Sequence, residues 1–219
     1  AYDIGSGLVG SEMCIRDRSY TNIIGIDRLE DIGCDIVLEN HRENAYRLLS
    51  WLLQNKKSDK ILLLFGWSDS FNTRMCKLGT EKAFAEQEVL EERIFRVYTA
   101  RKVEVIIDAL KKFFSTVRDG ERPLIVAFGS DILEYVVMGL HRHYSEWICK
   151  VDVAGFAMAG TADKLGMDCS LVIKNPEAVG IAASELLYRK ILGNSSEEKS
   201  RVYDIDVKSV SYTHLTLPT

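Results

Sequence analysis

Residues 35–66 read DIVLENHRENAYRLLSWLLQNKKSDKILLLFG, and this stretch decides the fold. It opens on one apolar run, DIVL, and closes on another, KILLLF, and both are suited to strands covered on both faces. Between the two runs, Asn40 and Glu43 have the spacing of a capping box, which predicts the start of a helix. Leucines recur on one side of that helix, so the stretch predicts a strand–helix–strand unit.

The same alternation continues on both sides of this unit. Further strands are predicted at 22–26, 94–98, 123–128, 150–156, 170–174 and 202–207, and further helices at about 70–87, 102–118, 130–143 and 176–191. Strand and helix alternate about five times with short turns between them, which is typical of a parallel sheet. We therefore predict an α/β fold built on a doubly wound parallel sheet, with helices on both faces.

Composition narrows the class of protein. The chain has 219 residues, a formal net charge of -4 and no extended cluster of basic residues. We therefore do not expect this chain to bind nucleic acid by itself. No apolar run reaches the ~20 residues that span a bilayer, and no membrane partner is predicted. Five scattered cysteines without a C-x-x-C pair are typical of reduced thiols in a cytoplasm.

Motifs for catalysis and cofactor binding do not occur. The sequence has no phosphate loop, no dinucleotide-binding glycine pattern, no nucleophile elbow and no H-E-x-x-H zinc motif. His141 and His143 stand two positions apart on a helix, so their rings diverge and favour helix-end cations over metal ligands. His41, in a first helical turn, is expected to be exposed. We predict a non-enzymatic protein without cofactor or metal.

Both ends of the chain differ from the rest. Residues 5–18 and 210–219 resemble translated sequencing-adapter read-through, and neither shows a period that continues into its neighbour. We expect 1–20 to be adapter-derived or unstructured and 209–219 to be an adapter-derived tail. We also expect the natural protein to extend further on the N-terminal side.

Ligands of parallel sheets bind outside the carboxyl ends of the strands, so the residues after each strand are the ones to inspect. Carboxylates, amides and guanidinium groups, among them that of Arg101, occur at these positions. The aromatic residues Trp67, Phe71 and Phe156 stand close to them in the sequence. This mixture suits a sugar, because polar groups bind the hydroxyls and an aromatic ring stacks on the C–H face. The candidate ligand-binding residues are Asp27, Arg28, Ser70, Asn72, Arg74, Tyr98, Ser130, Asp131 and Asn175.

Helix capping is the competing interpretation for some of these residues. Ser70, Asn72, Ser130 and Asp131 all precede or open predicted helices, and each could simply cap one. Asp27 directly follows an apolar strand where no cap is needed, which favours a binding role for it.

Five motifs in order resemble one family. These are NIIGIDR (22–28), the stretch 30–66, LIVAFGSDILEYVVMGL (124–140), DVAGFAMAG (152–160) and LVIKNPEAVGIAASELLYRKILG (171–193). Together they resemble the effector-binding domain of LacI/GalR-type transcription regulators, whose fold is similar to that of periplasmic sugar-binding proteins. The resemblance covers about residues 21–208.

The resemblance implies a periplasmic-binding-protein-like type I fold with a nearly complete C-terminal lobe and a partial N-terminal lobe. The C-terminal lobe would take in 40–173 and 197–208, and the remnants of the other lobe would be 21–39 and 174–196. It also implies a cytoplasmic homodimer that senses a sugar or sugar phosphate. DNA would be bound only through an N-terminal head that this chain lacks.

The family's contact positions carry over unevenly. Asp27 matches an effector-contacting carboxylate, Asp131 is retained beside Ser130 in place of an Asn, and Asn175 replaces a Gln. The family's effector-clamping Arg falls on Cys76, with Arg74 or Lys77 as possible substitutes. Its Asp after the G-F pair is Ala157. Losing two charged contacts favours an unusual effector or reduced ligand dependence.

Two other functions remain open at this point. A periplasmic sugar-binding protein of a transporter would share the fold and the binding cleft. Its gene would encode a secretory signal upstream, and its scattered cysteines would face an oxidising compartment. An α/β enzyme is the third possibility, but no nucleophile–base or paired-carboxylate motif supports it.

Overall fold

The computed structural model describes residues 23–26, 35–193, 202–205 and 211–212. The chain divides into two compact units. The smaller unit takes in 1–39 and 176–205, and the larger takes in 40–175 and 206–219.

The described residues form nine strands and six α-helices, which are numbered in chain order. The strands are β1 (Ile24–Ile26), β2 (Asp35–Glu39), β3 (Lys60–Phe65), β4 (Ile94–Tyr98), β5 (Pro123–Ala127), β6 (Asp152–Ala157), β7 (Cys169–Ile173), β8 (Val202–Ile205) and β9 (Ser211–Tyr212). The helices are α1 (His41–Asn55), α2 (Phe71–Glu86), α3 (Val103–Phe114), α4 (Ser130–His143), α5 (Ala162–Leu165) and α6 (Pro176–Ile191).

The larger unit is built on a sheet with the strand order β4-β3-β5-β6-β7-β9. All neighbours from β4 to β7 pair in parallel, and β9 pairs with β7 in the antiparallel direction. The predicted α/β fold with a doubly wound parallel sheet is therefore confirmed. The predicted start of α1 is confirmed as well, because Asn40 Oδ1 accepts the Glu43 amide at 2.9 Å.

Strand side chains alternate between two apolar cores because successive residues of a strand point to opposite faces. In β3, Leu62 and Leu64 join α3 and α4 on one face, while Ile61, Leu63 and Phe65 join α1 and α2 on the other. Burial on both faces explains why the strands of this sheet read as continuous apolar runs.

Helices α1 and α2 lie very close together because α2 carries a glycine at their contact. A Cβ added to Gly79 would lie 2.1 Å from the Arg42 carbonyl oxygen. Only a residue without a side chain fits at this point, so Gly79 allows the two helices to pack this closely.

The smaller unit has a three-stranded parallel sheet in the order β1-β2-β8. Helix α6 packs on it through Val179, Ala183 and Leu186, which share an apolar cluster with Val37. An ion pair joins Lys190 Nζ to Asp35 Oδ2 at 3.1 Å, with both side chains largely buried. Among the described residues, no helix is long and apolar enough to cross a membrane.

The predicted lobe boundary is wrong at the C-terminal side. Residues 197–208 were expected in the larger lobe, but β8 pairs with β2 in the smaller unit. The alternating pattern of this segment indicates a strand without indicating its partner, and β2 offers a parallel edge. Within the expected tail at 209–219, Ser211 and Tyr212 form β9, and 1–20 lies outside the described residues.

Candidate ligand-binding site

The carboxyl ends of β4, β3 and β5 are neighbours, and backbone hydrogen bonds join the turns that follow them. The Thr99 amide and hydroxyl both donate to the Phe65 carbonyl, at 2.9 and 2.8 Å. The Ala100 amide donates to the Gly66 carbonyl at 3.2 Å. These bonds fix the turn after β4 against the turn after β3.

Aromatic rings form a row beneath this edge. Tyr98 stacks on Phe65 at 5.7 Å between ring centroids, and Phe65 stacks on Phe128 at 4.8 Å. Phe128 meets Phe156 edge to face at 5.6 Å. Tyr98 is 40% exposed while Phe65 and Phe156 are buried, so the row is covered from below and open at Tyr98.

Three side chains converge above the row. Arg101 Nη1 lies 3.3 Å from Asp131 Oδ2, and the Arg101 guanidinium carbon lies 4.9 Å from the centre of the Trp67 ring. Trp67 is 50% exposed. An exposed aromatic ring beside a carboxylate and a guanidinium group can stack on a sugar ring and bind its hydroxyls.

The turn that presents Arg101 has an unusual backbone. Ala100 and Arg101 both have positive φ angles, of 46° and 58°. Residues with a Cβ rarely adopt this left-handed region. The buried Thr99 hydroxyl stabilises it by accepting the Arg101 amide at 3.1 Å while it donates to Phe65.

The predicted site residues on α2 and α4 have different environments in the structure. Ser70 caps α2 by accepting the Thr73 amide at 3.2 Å, which confirms the capping interpretation for it. Asn72 is half-buried and Arg74 is exposed, both in the first turns of α2. Ser130 opens α4 beside Asp131 and is half-buried, although α4 has no side-chain cap bond.

The remaining candidates lie further away or beyond the described residues. Asn175 is exposed and follows β7, which stands four strands from β4, the strand that precedes Arg101. Asp27 and Arg28 lie outside the described residues. Of the predicted set, Asp131 contacts Arg101, Ser130 precedes Asp131 in the chain, and Tyr98 stacks on Phe65 at the end of β4.

Two residues of the cluster, Trp67 and Arg101, were not in the predicted binding set. Both lie in the turns that follow β3 and β4, which was the available signal, but no sequence pattern indicates that they contact each other. Conversely, Phe156 is 2% exposed and belongs to the core. The expectation of an exposed His41 is wrong: it is 2% exposed because it stacks on Phe156 at 6.4 Å.

The two positions at which a charged residue of the family pattern is replaced are both buried. Cys76 is 3% exposed, and its thiol faces the His41 carbonyl oxygen at 3.9 Å. Ala157 is fully buried at the end of β6. Neither position reaches the surface of the site.

Three cysteines of the described residues, Cys76, Cys149 and Cys169, form no disulfide bond. Burial raises the pKa of the Cys169 thiol to about 12, with a smaller contribution from Asp168. Such a thiol stays protonated and is a poor nucleophile. No group of three His, Cys, Asp or Glu side chains in these residues could hold a metal ion.

The opposite, amino-terminal edge of the sheet has a groove of about 760 Å³ lined mainly by charged side chains. Two of its cations, Arg93 and Lys56, are bonded to other groups of the protein. Arg93 Nε donates to the Asp59 carbonyl at 3.2 Å and its Nη2 donates to the Ser58 carbonyl. Lys56 pairs with Asp152 at 2.9 Å. This groove contains no aromatic ring, so we place the candidate site at the carboxyl edge.

No protein-family model matches the chain, and no curated protein sequence matches it either. Solved structures do match. A probable maltose operon transcriptional repressor from Staphylococcus aureus superposes with a TM-score of 0.73 at 15% identity, covering 93% of this chain and 71% of the repressor chain.

Two further structures hold sugars. A LacI family transcriptional regulator from Enterococcus faecium with bound ribose has a TM-score of 0.68 at 12% identity, covering 85% of this chain and 68% of the other. A periplasmic solute-binding protein of an ABC transporter from Actinobacillus succinogenes, with bound D-allose, has a TM-score of 0.68 at 20% identity, with coverages of 86% and 68%.

The chain therefore has the fold shared by the effector-binding domains of LacI-type regulators and by periplasmic sugar-binding proteins. The three proteins are named as two regulators and a solute-binding protein, and none carries the name of an enzyme.

Proposed function

We propose that this chain is the ligand-sensing domain of a DNA-binding transcription regulator that responds to a sugar or sugar derivative. DNA is bound by a separate head, and the regulator acts in the cytoplasm as a homodimer. The observation that carries the proposal is the cluster of Trp67, Arg101 and Asp131 at the carboxyl edge of a LacI-type sheet.

The chemistry of the cluster supports binding rather than catalysis. Asp131 accepts hydroxyl hydrogens, Arg101 donates to ring or hydroxyl oxygens, and the exposed half of Trp67 stacks on a sugar face. Tyr98 extends the apolar surface beside them. No nucleophile–base pair accompanies these groups among the described residues.

Saturation-transfer NMR with D-ribose, D-allose and maltose tests the binding. We expect transfer to at least one sugar, and we expect Asp131→Asn to weaken it by about 1–3 kcal/mol, the usual cost of removing a charged hydrogen-bonding partner. Asp108→Asn is the matched control, because Asp108 is an exposed carboxylate on α3 that pairs with Lys112. Equal effects of the two substitutions, or no transfer at all, would contradict a sugar site here.

Asp27 belongs to the same proposal. Since it follows an apolar strand, we expect Asp27→Ala in the full-length protein to weaken effector binding by about 1–3 kcal/mol. Calorimetry of the substituted protein measures this, and an unchanged affinity would remove Asp27 from the site.

The regulator and the transport protein differ upstream of the sensor. A regulator gene encodes a helix-turn-helix head before this region, whereas a periplasmic protein carries a secretory signal. Sequencing the parent gene across this boundary separates the two, and a signal peptide without a DNA-binding head would refute the regulator.

A further inference from the structure

We propose that Arg101 selects the charge of the ligand, and that the site takes a sugar derivative carrying a carboxylate or phosphate group. This inference rests on the proposed function, because it names the class of ligand for the same site. It comes from three features of Arg101: its unused donors, its fixed position and the groups beside it.

Most of the hydrogen-bonding capacity of Arg101 is unused by the protein. A guanidinium group has five N–H donors in a planar fork. In the described part of the chain, the Arg101 side chain has one polar contact, from Nη1 to Asp131 Oδ2 at 3.3 Å. Among the described residues, no acceptor bonds to the remaining donors, and a planar fork of this kind matches a carboxylate or phosphate in a bidentate manner.

The Arg101 side chain is held in place without being covered. Trp67 lies 4.9 Å from its guanidinium carbon on one side, and Asp131 anchors one nitrogen. A Cβ added at Gly66 would lie 3.7 Å from Nε, so the stem crosses close over this glycine. The side chain nevertheless remains 48% exposed. A cation already held in position loses less conformational freedom when it binds an anion.

Asp131 and Trp67 specify more than a simple anion. Asp131 is an acceptor with about four lone-pair sites, of which the described residues use one. It can accept a hydroxyl, but it repels a free anion that offers no hydroxyl. The exposed part of Trp67 stacks on an apolar ring face. A ligand that satisfies all three groups has a ring, hydroxyls and an oxyanion, as sugar acids and sugar phosphates do.

Titrations with matched ligands test the selection. We would titrate the chain with D-glucose, D-glucuronate, D-glucose 6-phosphate, D-ribose and D-ribose 5-phosphate, with inorganic phosphate as the anion without a sugar. Saturation-transfer and line-broadening NMR report each affinity. We expect at least one anionic derivative to bind tenfold or more tightly than its neutral parent, and the preferred member tells a carboxylate from a phosphate.

Three variants test whether Arg101 causes the preference for anionic derivatives. Arg101→Ala should bring the affinity for the anionic derivative down to that of the neutral parent. Arg101→Lys should keep part of the preference, because it keeps the charge and loses the fork. Arg47→Ala is the matched control, because Arg47 is an exposed arginine of α1 that pairs with Glu43 at 2.9 Å. It should leave every affinity unchanged.

The outcomes separate this inference from the proposed function. If neutral sugars bind as tightly as their anionic derivatives, or if Arg101→Ala keeps the preference, Arg101 does not select the charge although the sugar site stands. If inorganic phosphate competes as well as the sugar phosphate, the site binds an anion only and the sugar derivative is wrong. If no sugar and no derivative binds, both proposals fail together.

Discussion

Arg93 and Arg101 lie at opposite edges of the same sheet, and they use their guanidinium groups in opposite ways. Arg93 precedes β4 at the amino edge and donates to two backbone carbonyls, those of Ser58 and Asp59. Arg101 follows β4 at the carboxyl edge and has one polar side-chain contact among the described residues, the half-exposed pair with Asp131. Arg93 uses its donors within the fold, whereas most donors of Arg101 have no partner among the described residues.

The difference comes from what each edge must satisfy. At the amino edge, the turn before β3 carries partly buried carbonyl groups, and a buried carbonyl left without a donor costs about 1–3 kcal/mol. Arg93 satisfies two of them. At the carboxyl edge, the turns already satisfy each other through Thr99, so Arg101 has no structural task of this kind. The same residue type is therefore structural at one edge and available for binding at the other.

The largest expected effect concerns the amino edge, where a buried thiol makes the free energy of unfolding depend on pH. Cys169 begins β7 at this edge, and its pKa is raised to about 12 by burial. The pKa of Cys169 is higher in the folded than in the unfolded protein. The contribution of its protonated thiol to the free energy of unfolding is therefore fully present below about pH 9 and is lost as the pH rises toward 12. Three pKa units correspond to about 4 kcal/mol. Urea unfolding between pH 8 and 11 measures the slope.

Cys169→Ala supplies the comparison for that measurement. Without the thiol, the free energy of unfolding should fall less steeply with pH, while Cys149→Ala, which removes an exposed thiol, should leave the slope unchanged. Parallel curves for all three proteins would show that Cys169 ionises normally.

The next effect compares the two arginines directly. Arg93→Ala should lower the free energy of unfolding by about 2 kcal/mol, because it leaves the Ser58 and Asp59 carbonyls without their donor. Arg93→Lys should recover only part of this loss, since a single ammonium does not reproduce the fork. Chemical denaturation at pH 7 checks both, and a loss below about 0.5 kcal/mol would mean that water replaces Arg93 without cost.

A smaller gain is expected in the turn that presents Arg101. Ala100 has a φ of 46°, a conformation that costs a residue with a Cβ about 1 kcal/mol and costs glycine little. Ala100→Gly should therefore raise the free energy of unfolding by up to about 1 kcal/mol, less the extra entropy of the unfolded glycine. A thermal melt detects this, and a clear destabilisation would show that the turn is not strained.

The smallest effect is the stability change for Arg101→Ala. Its pair with Asp131 is half-exposed, and exposed pairs contribute about 0.2–1 kcal/mol. We expect a loss at the lower end of that range beside a large change in ligand preference. A loss as large as that of Arg93→Ala would make Arg101 a structural residue and would remove the contrast between the two edges.

Most of the fold could be predicted because it depends on local patterns. The apolar runs at 35–38 and 60–65 and the cap at Asn40 determine β2, α1 and β3 without reference to the rest of the chain. Helix α5 could not be found in this way, because four residues carry too little periodicity. The partner of β8 was also misassigned, because alternation within a strand does not specify which edge it joins.

The site was predictable in position and not in detail. The rule that ligands bind at carboxyl ends of strands points to the turns after β3, β4 and β5. It does not say which side chains use up their hydrogen bonds within the fold. Ser70 proved to be a helix cap and His41 a buried ring, because both depend on contacts made only after packing. Arg101 joins Trp67 and Asp131 for the same reason.

The division of the chain also has a consequence for the order of events during synthesis. Strands β3 to β7 are all encoded between 40 and 175, so the parallel part of their sheet can assemble while the ribosome still translates the following segment. The sheet of the smaller unit cannot be completed then, since β2 emerges early and β8 comes near the end of the chain. Closing so long a loop carries an entropic cost and slows pairing. During that interval, one edge of β2 has no partner, and an unpaired strand edge is prone to mispairing.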